Sequence, residues 1–460
     1  MKVRLLKKTL LVLSILFAIS CNEESLVEEN KSLKESPEKI DYYKDWMKNL
    51  GDYDLEKIID EEEKKMLSRS STVPKSAKRT SEKPILVHYM PWFRSLDVDG
   101  AWGQHWTMTN KNPDIINSEG EREIASHYYP LIGPYSTKDK DLQQYHLLLM
   151  KLAGVDGVIF DWYGKRDVLD FEEIKQGMES FVSELDKTNL DFAVMYEDRV
   201  VREQARSLTQ LQINQAIGDL RYIEDTYLSK ENYARIDNNP LLMIFGPSYI
   251  DDPADWNTIL SSINTNMSLL SLWNATNTLG SANTSGEYAW IDRNHLTTLS
   301  GYYLNNVDFN REIVGGVAYP RFDDFYIEGG WKSPTDDDWS IEGRGIDVFK
   351  ESFDESLRHP VDFIQIATWN DFGEGTQIEP TKEHGFSHLE SLQEYTQTTY
   401  KKGDLRIPYY IYKLRKQHSN NYMVKFLMDV AHWYAMNNRL KKAKRLVCIT
   451  IHYFGGDFSQ

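Results

Sequence analysis

From Pro84 onward, short apolar runs rich in β-branched residues alternate with longer amphipathic stretches, and this alternation is the strongest constraint on the 460-residue chain. The runs are Ile85–Met90, Val155–Asp161, Asp191–Glu197, Leu241–Phe245, Leu269–Trp273, Tyr288–Ile291, Ile313–Tyr319 and Phe363–Trp369. Helical spacing marks Asp141–Leu152, Phe171–Leu185, Ala205–Tyr227 and Gly345–Leu357 between them. Eight buried strands separated by crossovers predict an α/β fold, a (β/α)8 TIM barrel over residues 84–404. A doubly wound open sheet fits the same alternation, but no Gly-rich phosphate loop follows the first run. After Leu405 the pattern turns helical. Tyr422–Leu446 reads as one long helix and Val447–Phe454 as a strand-like tail, so 405–460 is expected to be a small helical extension.

The N-terminus has a different texture. Lys2, Arg4, Lys7 and Lys8 precede an apolar run, Leu10–Ile19, of signal-peptide length. Ala18-Ile19-Ser20-Cys21 then fits a bacterial lipobox, with Ala18 where Leu is usual. The reading is a lipoprotein signal over residues 1–20 with Cys21 as the lipid-bearing residue; an ordinary secretory signal with an incidental cysteine is the alternative. The protein would then sit in the bacterial cell envelope, held to the outer membrane or cell surface by that anchor alone. Residues 21–83 are charged and apolar-poor. They are expected to hold one or two solvated helices over Leu33–Met66 and a disordered stretch over Ser68–Lys83, together a tether. Lys+Arg 53 against Asp+Glu 70 gives a charge of −17, which argues against a nucleic-acid partner, since that needs a basic face. Two cysteines, Cys21 and Cys448, exclude a disulfide framework.

In a (β/α)8 barrel the chemistry lies where strands end. These ends supply His88-Tyr89-Met90-Pro91-Trp92, Asp161-Trp162-Tyr163, Glu197-Asp198-Arg199, Trp273-Asn274, Tyr319 and Trp369-Asn370-Asp371. Carboxylates and amides exchange hydrogen bonds with hydroxyls, and aromatic faces cover sugar C–H faces. The set therefore suits an uncharged, polyhydroxylated ligand. The long loop after the first strand carries Trp102-Gly103-Gln104-His105-Trp106, read as a sugar-contacting flap, with surface packing the alternative. Asp371 and Glu374 are three residues apart, with Gly373 and Gly375 expected to free the backbone so that both carboxylates face one cleft. Glycoside hydrolysis uses such a pair, and close carboxylates separate each other's pKa values. A solvated turn would give the same letters. His88 and His105 lack a metal-ligand spacing, and neither a G-x-S-x-G elbow nor an H-E-x-x-H helix is present, so no metal or organic cofactor is expected.

The segment WNDFGEGTQIEP (369–380) resembles the catalytic segment of glycoside hydrolase family 99, the endo-acting α-mannosidases and α-mannanases, whose pattern is close to N-E-W-x-E-G-T-Q-I-E-P. Its first half, WNDFGE, is also similar to the W-N-D-[YF]-G-E of family 71, the α-1,3-glucanases. HYMPWF (88–93) is similar to the YYPWY of family 99, and Ile124–Gly164 looks like bacterial proteins described as 71/99-like, some labelled as xylosidases or arabinosidases. The resemblance spans roughly Pro84–Glu383. It implies that Glu374 is the general acid/base and Asp371 the second catalytic carboxylate. In family 99 that second residue is a Glu that deprotonates the sugar 2-hydroxyl, with retention; in family 71 it is Asp, with inversion. Asp reaches about 1.5 Å less far.

The resemblance and the strand ends together describe a glycoside hydrolase acting on an oligo- or polysaccharide, α-linked and mannan- or glucan-like, with cleavage within the chain as the mode the resemblance implies. Tyr89, Trp92, His105, Trp106, Asp161, Trp162, Tyr163, Glu197, Trp273, Tyr319, Trp369 and Asn370 are expected to line subsites. A catalytically silent barrel that captures glycans for neighbouring uptake proteins would show a similar cleft. What separates the two is whether Asp371 and Glu374 serve turnover or affinity alone.

Overall fold

The computed structural model describes Trp46 and residues 54–67, 75–204, 210–307 and 313–458. The signal, Cys21 and most of the expected tether lie outside these residues. Eight parallel strands form the barrel: β1 (Ile85–Tyr89), β2 (Gly157–Trp162), β3 (Asp191–Tyr196), β4 (Asn239–Ile244), β5 (Ser268–Leu272), β6 (Gly286–Tyr288), β7 (Ile313–Ala318) and β8 (Phe363–Ile366). Each strand pairs with the next, and β8 closes on β1 in the register Ile85–Ile364, Leu86–Gln365 and Val87–Ile366. The closed ring rules out the open doubly wound sheet. Every expected strand forms, shifted by a few residues at the ends; the sixth starts at Gly286 rather than Tyr288 and leaves Trp290 beyond it. A two-residue strand, Arg235–Ile236, adds an antiparallel edge to β4.

Strand alternation sorts the side chains. His88 points into the barrel and meets Gln365 at 2.5 Å, and Gln365 donates to the Ala289 carbonyl. Tyr89, one residue on, points out to Phe160 of β2 and to Phe181 in the helix layer. The helix Phe171–Leu185 lies close over the end of β1 because Gly177 has no side chain. A Cβ there would stand 2.2 Å from the Pro91 carbonyl oxygen.

Two expectations for the C-terminal part are corrected. The long helix is two, Tyr422–Met436 and Leu440–Phe454, broken where Asn438 takes a left-handed φ of 61°. Val447–Phe454 is therefore helical, not strand-like; its β-branched residues serve burial, with Val447 and Ile449 fully covered. Arg415 joins the helix Arg406–Gln417 to the barrel helix Lys140–Ala153 through Gln144 at 2.8 Å and Asp141 at 3.4 Å.

The tether reading also changes within the described residues. Leu55–Leu67 is a helix that docks rather than a solvated one: Leu55, Ile58 and Ile59 pack on the core and Tyr434 donates to Glu62 at 2.6 Å. Residues 75–83, expected to be disordered, run along the barrel, where Arg79 meets Asp156 at 2.6 Å and bridges to Thr398.

Gly177→Ala should force the helix away from Pro91. Overpacking of this kind costs about 1–3 kcal/mol, so calorimetry should show a melting temperature lower by several degrees. An unchanged melting temperature would contradict the close approach.

Candidate active site

A cavity of about 320 Å³ opens at the C-terminal end of the barrel. Asp161 and Met195 line it from β2 and β3, with Met90, Trp92, Tyr163, Glu197 and Arg199 just beyond the ends of β1, β2 and β3. Phe245 and Trp290 follow β4 and β6, Tyr326, Trp331 and Lys332 come from the loop after β7, and Asp371 and Glu374 follow β8.

The β8 loop is built to present its two acids. Asn370 accepts from the Met90 amide at 2.8 Å and donates to the Met90 carbonyl at 3.1 Å, fastening the loop to the end of β1. The Asp371 amide donates to Thr368 Oγ1 at 2.8 Å, and the Asp371 carboxylate accepts from the Glu374 amide at 3.0 Å. Gly375 has a φ of +67° and lies against the Asp323 carbonyl, so it meets the expectation of backbone freedom; Gly373 lacks a left-handed φ and instead leaves room beside Met108. Tyr326 donates to Glu374 Oε1 at 3.1 Å.

Burial sets the proton chemistry. The Asp371 carboxyl is held well above the ordinary range, first by loss of water and then by the Glu374 charge. Burial raises Glu374 too, against the Tyr326 hydroxyl, which favours its charged form. On the β2–β3 side, burial and Glu197 raise Asp161 strongly, and burial pushes Glu197 up to about 7 while Arg199 opposes the rise. Tyr163 donates to Glu197 at 3.2 Å, and Arg199 pairs with it at 2.5 Å. Carboxyls that keep a proton near neutral pH can act as general acids.

Six of the expected residues meet at this cavity: Trp92, Asp161, Tyr163, Glu197, Asp371 and Glu374. His105 stands behind it, stacked on Trp92 at 4.1 Å and held by Asp170 at 3.1 Å. The others do not line it. Tyr89 bonds His146 at 3.1 Å, Trp162 stacks on Tyr222, and Trp369 packs edge-on against His146. Trp273 packs on Tyr302, and Tyr319 bonds His295 at 2.7 Å. Trp106, expected in a flap, is fully buried and donates to the Tyr135 carbonyl at 2.8 Å; Asn370 is the buried clamp described above. For Tyr89 and Trp162 the reason is the strand's two-residue period: beside Met90 and Asp161, which reach the cavity, they face the helices.

Several lining residues escaped the sequence reading. Trp290 lies within the run expected as the sixth strand, where it passed for core. Tyr326, Trp331 and Lys332 sit in a long loop after β7 that folds back over the site, with Tyr326 stacked on Trp331 at 5.8 Å and Lys332 paired with Asp324 at 2.7 Å. The DDFYIEGGWK text of that loop (323–332), dense in acids and aromatics, is the signal that could have found them.

Residues 80–277 match the family model described as Glycosyl hydrolase family 99. That match spans under half of the chain and makes it similar to family 99 there. The chain is 23% identical over 317 residues to a glycoprotein endo-α-1,2-mannosidase-like protein of Mus musculus, covering 64% of this chain and 65% of that one. The Danio rerio protein of the same description is 25% identical over 193 residues, 38% of this chain and 41% of that one. The chain thus spans between two fifths and just under two thirds of the length of these relatives. Among solved structures, the GH99 endo-α-mannosidase from Bacteroides thetaiotaomicron aligns with a TM-score of 0.54 at 18% identity, covering 72% of this chain and 99% of that one, which establishes the shared fold.

Tyr326→Phe removes a donor to the charged form of Glu374. The Glu374 pKa should rise further, read by carboxyl-detected NMR titration against wild type; a fall or no movement would contradict the contact.

Proposed function

We propose that the protein hydrolyses α-linked glycans, mannan-like or glucan-like, by cutting within the chain. The observation that carries this is the Asp371–Glu374 pair, the first buried and the second half-buried, on the β8 loop beside a cavity lined by Trp92, Tyr163, Trp290, Tyr326 and Trp331. Glu374 gives its proton to the glycosidic oxygen as the C–O bond breaks, and Asp371 takes the proton from the attacking oxygen. Asp161 and Glu197 receive sugar hydroxyls opposite. The names of the relatives, endo-α-1,2-mannosidase-like proteins, support an α-mannoside and internal cleavage.

The raised acids predict the pH dependence. The productive pair carries one proton, on Glu374; activity falls on the acid side as the pair takes up a second proton and on the alkaline side as it loses its only one, and burial raises both acids. The optimum should lie above the ordinary carboxylate range near pH 4.

The test is a digest panel of α-mannans, α-1,3-glucan, xylans and arabinans, with anomers followed by proton NMR. Wild type should release oligosaccharides from an α-linked substrate, and Glu374→Gln should lower kcat by roughly 10²–10⁴-fold. Binding of one glycan by both forms with no cleavage anywhere on the panel would favour glycan capture instead.

We also propose that Cys21 carries a lipid that fixes the protein to the bacterial envelope, beside uptake proteins that take the released sugars. Cys21→Ala should release the protein from the membrane fraction; retention of that variant would count against the anchor.

A further inference from the structure

Behind the β8 loop, away from the cavity, lies a buried cation with no contacting carboxylate. Arg321, three residues beyond β7, is 1% exposed. Its Nη2 donates to the Gln377 carbonyl at 3.2 Å, which holds the chain just after Glu374. Its guanidinium lies 4.0 Å over the Tyr128 ring. Its Nε and Nη1 groups find no protein acceptor among the described residues. The acids within electrostatic range are Asp323 and Glu383. Asp323 is engaged by His127 at 3.2 Å and Tyr128 at 3.2 Å, and Glu383 accepts from the Tyr129 amide.

Other unpaired groups share this buried patch. The His384 and His388 rings are 5.2 Å apart, and Nε2 of each lacks a partner among the described residues. Burial, then the Arg321 charge, keeps both imidazoles neutral, His384 with a pKa of about 4. Either can therefore carry its proton on Nε2 and donate. The buried Gln377 side chain also has neither end paired. Buried donors are nearly always satisfied, and a buried charge needs a counter-charge. Water satisfies donors but not the charge.

We propose that Arg321, assisted by Gln377, His384 and His388, holds a buried monovalent anion of halide size, chloride in particular. The anion neutralises the guanidinium and so steadies the Arg321–Gln377 contact that braces the β8 loop. This site is separate from the glycan cleft and does not rest on the glycosidase reading.

The test uses the intact protein in sulfate buffer. Replacing sulfate by chloride or bromide at constant ionic strength should raise the melting temperature by several degrees and saturate, and Arg321→Gln should abolish the rise. Since that variant could fail to fold, wild-type crystals soaked in bromide give an independent reading. An anomalous peak beside the Arg321 guanidinium is the expected result. No peak there, or a melting temperature that responds to chloride and sulfate alike, would overturn the proposal.

Discussion

The Asn370 clamp on the Met90 backbone holds the active-site end of this barrel together. It joins the loop after β8 to the end of β1, where the ring of strands closes. Its amide also reaches the Tyr135 hydroxyl at 3.3 Å, and Tyr135 donates to Glu379 at 2.7 Å. Glu379 meets His146 at 3.2 Å, and His146 bonds Tyr89. A buried polar chain thus runs from β1 through the first barrel helix to the far end of the loop, and between its anchor points stand Asp371 and Glu374. A network of this kind is costly when partly satisfied and rigid when complete. The rigidity falls where two carboxylates must be held in one geometry.

Electrostatics then follows from burial more than from any single neighbour. Asp161, Glu197, Asp371 and Glu374 all line one cavity, and loss of water is the largest cause of the rise in each. Arg199 and the Tyr326 hydroxyl moderate two of them. The two sides differ in what they offer. The β8 side carries a pair on a clamped loop, the β2–β3 side a pair tied into Tyr163 and Arg199. That asymmetry fits a proton donor on one side and hydroxyl acceptors on the other.

Much of this was legible in the sequence because it is written locally. Between Pro84 and Leu405 the β-branched runs alternate with amphipathic stretches and so mark buried strands, and a carboxylate pair three residues apart after the last strand points to paired-acid chemistry. Tyr89 and Trp162 were misassigned because composition at a strand end does not say which residues face the cavity; the two-residue period does. Tyr326, Trp331 and Lys332 were missed because their role depends on a loop returning over the barrel mouth. The docking of Leu55–Leu67 was hidden for a similar reason. Its partner, Tyr434, is 372 residues from Glu62, and no local pattern encodes that pairing.

For hydrolysis, Glu374 must face the bond that breaks. The most direct test is the crystal structure of Glu374→Gln with an intact oligosaccharide spanning the cavity. The residue 374 amide should lie within hydrogen-bond distance, about 3 Å, of the glycosidic oxygen, with sugar rings against Trp92 and Trp331. A sugar chain whose glycosidic oxygen faces Asp161 and Glu197 instead, out of reach of residue 374, would contradict it.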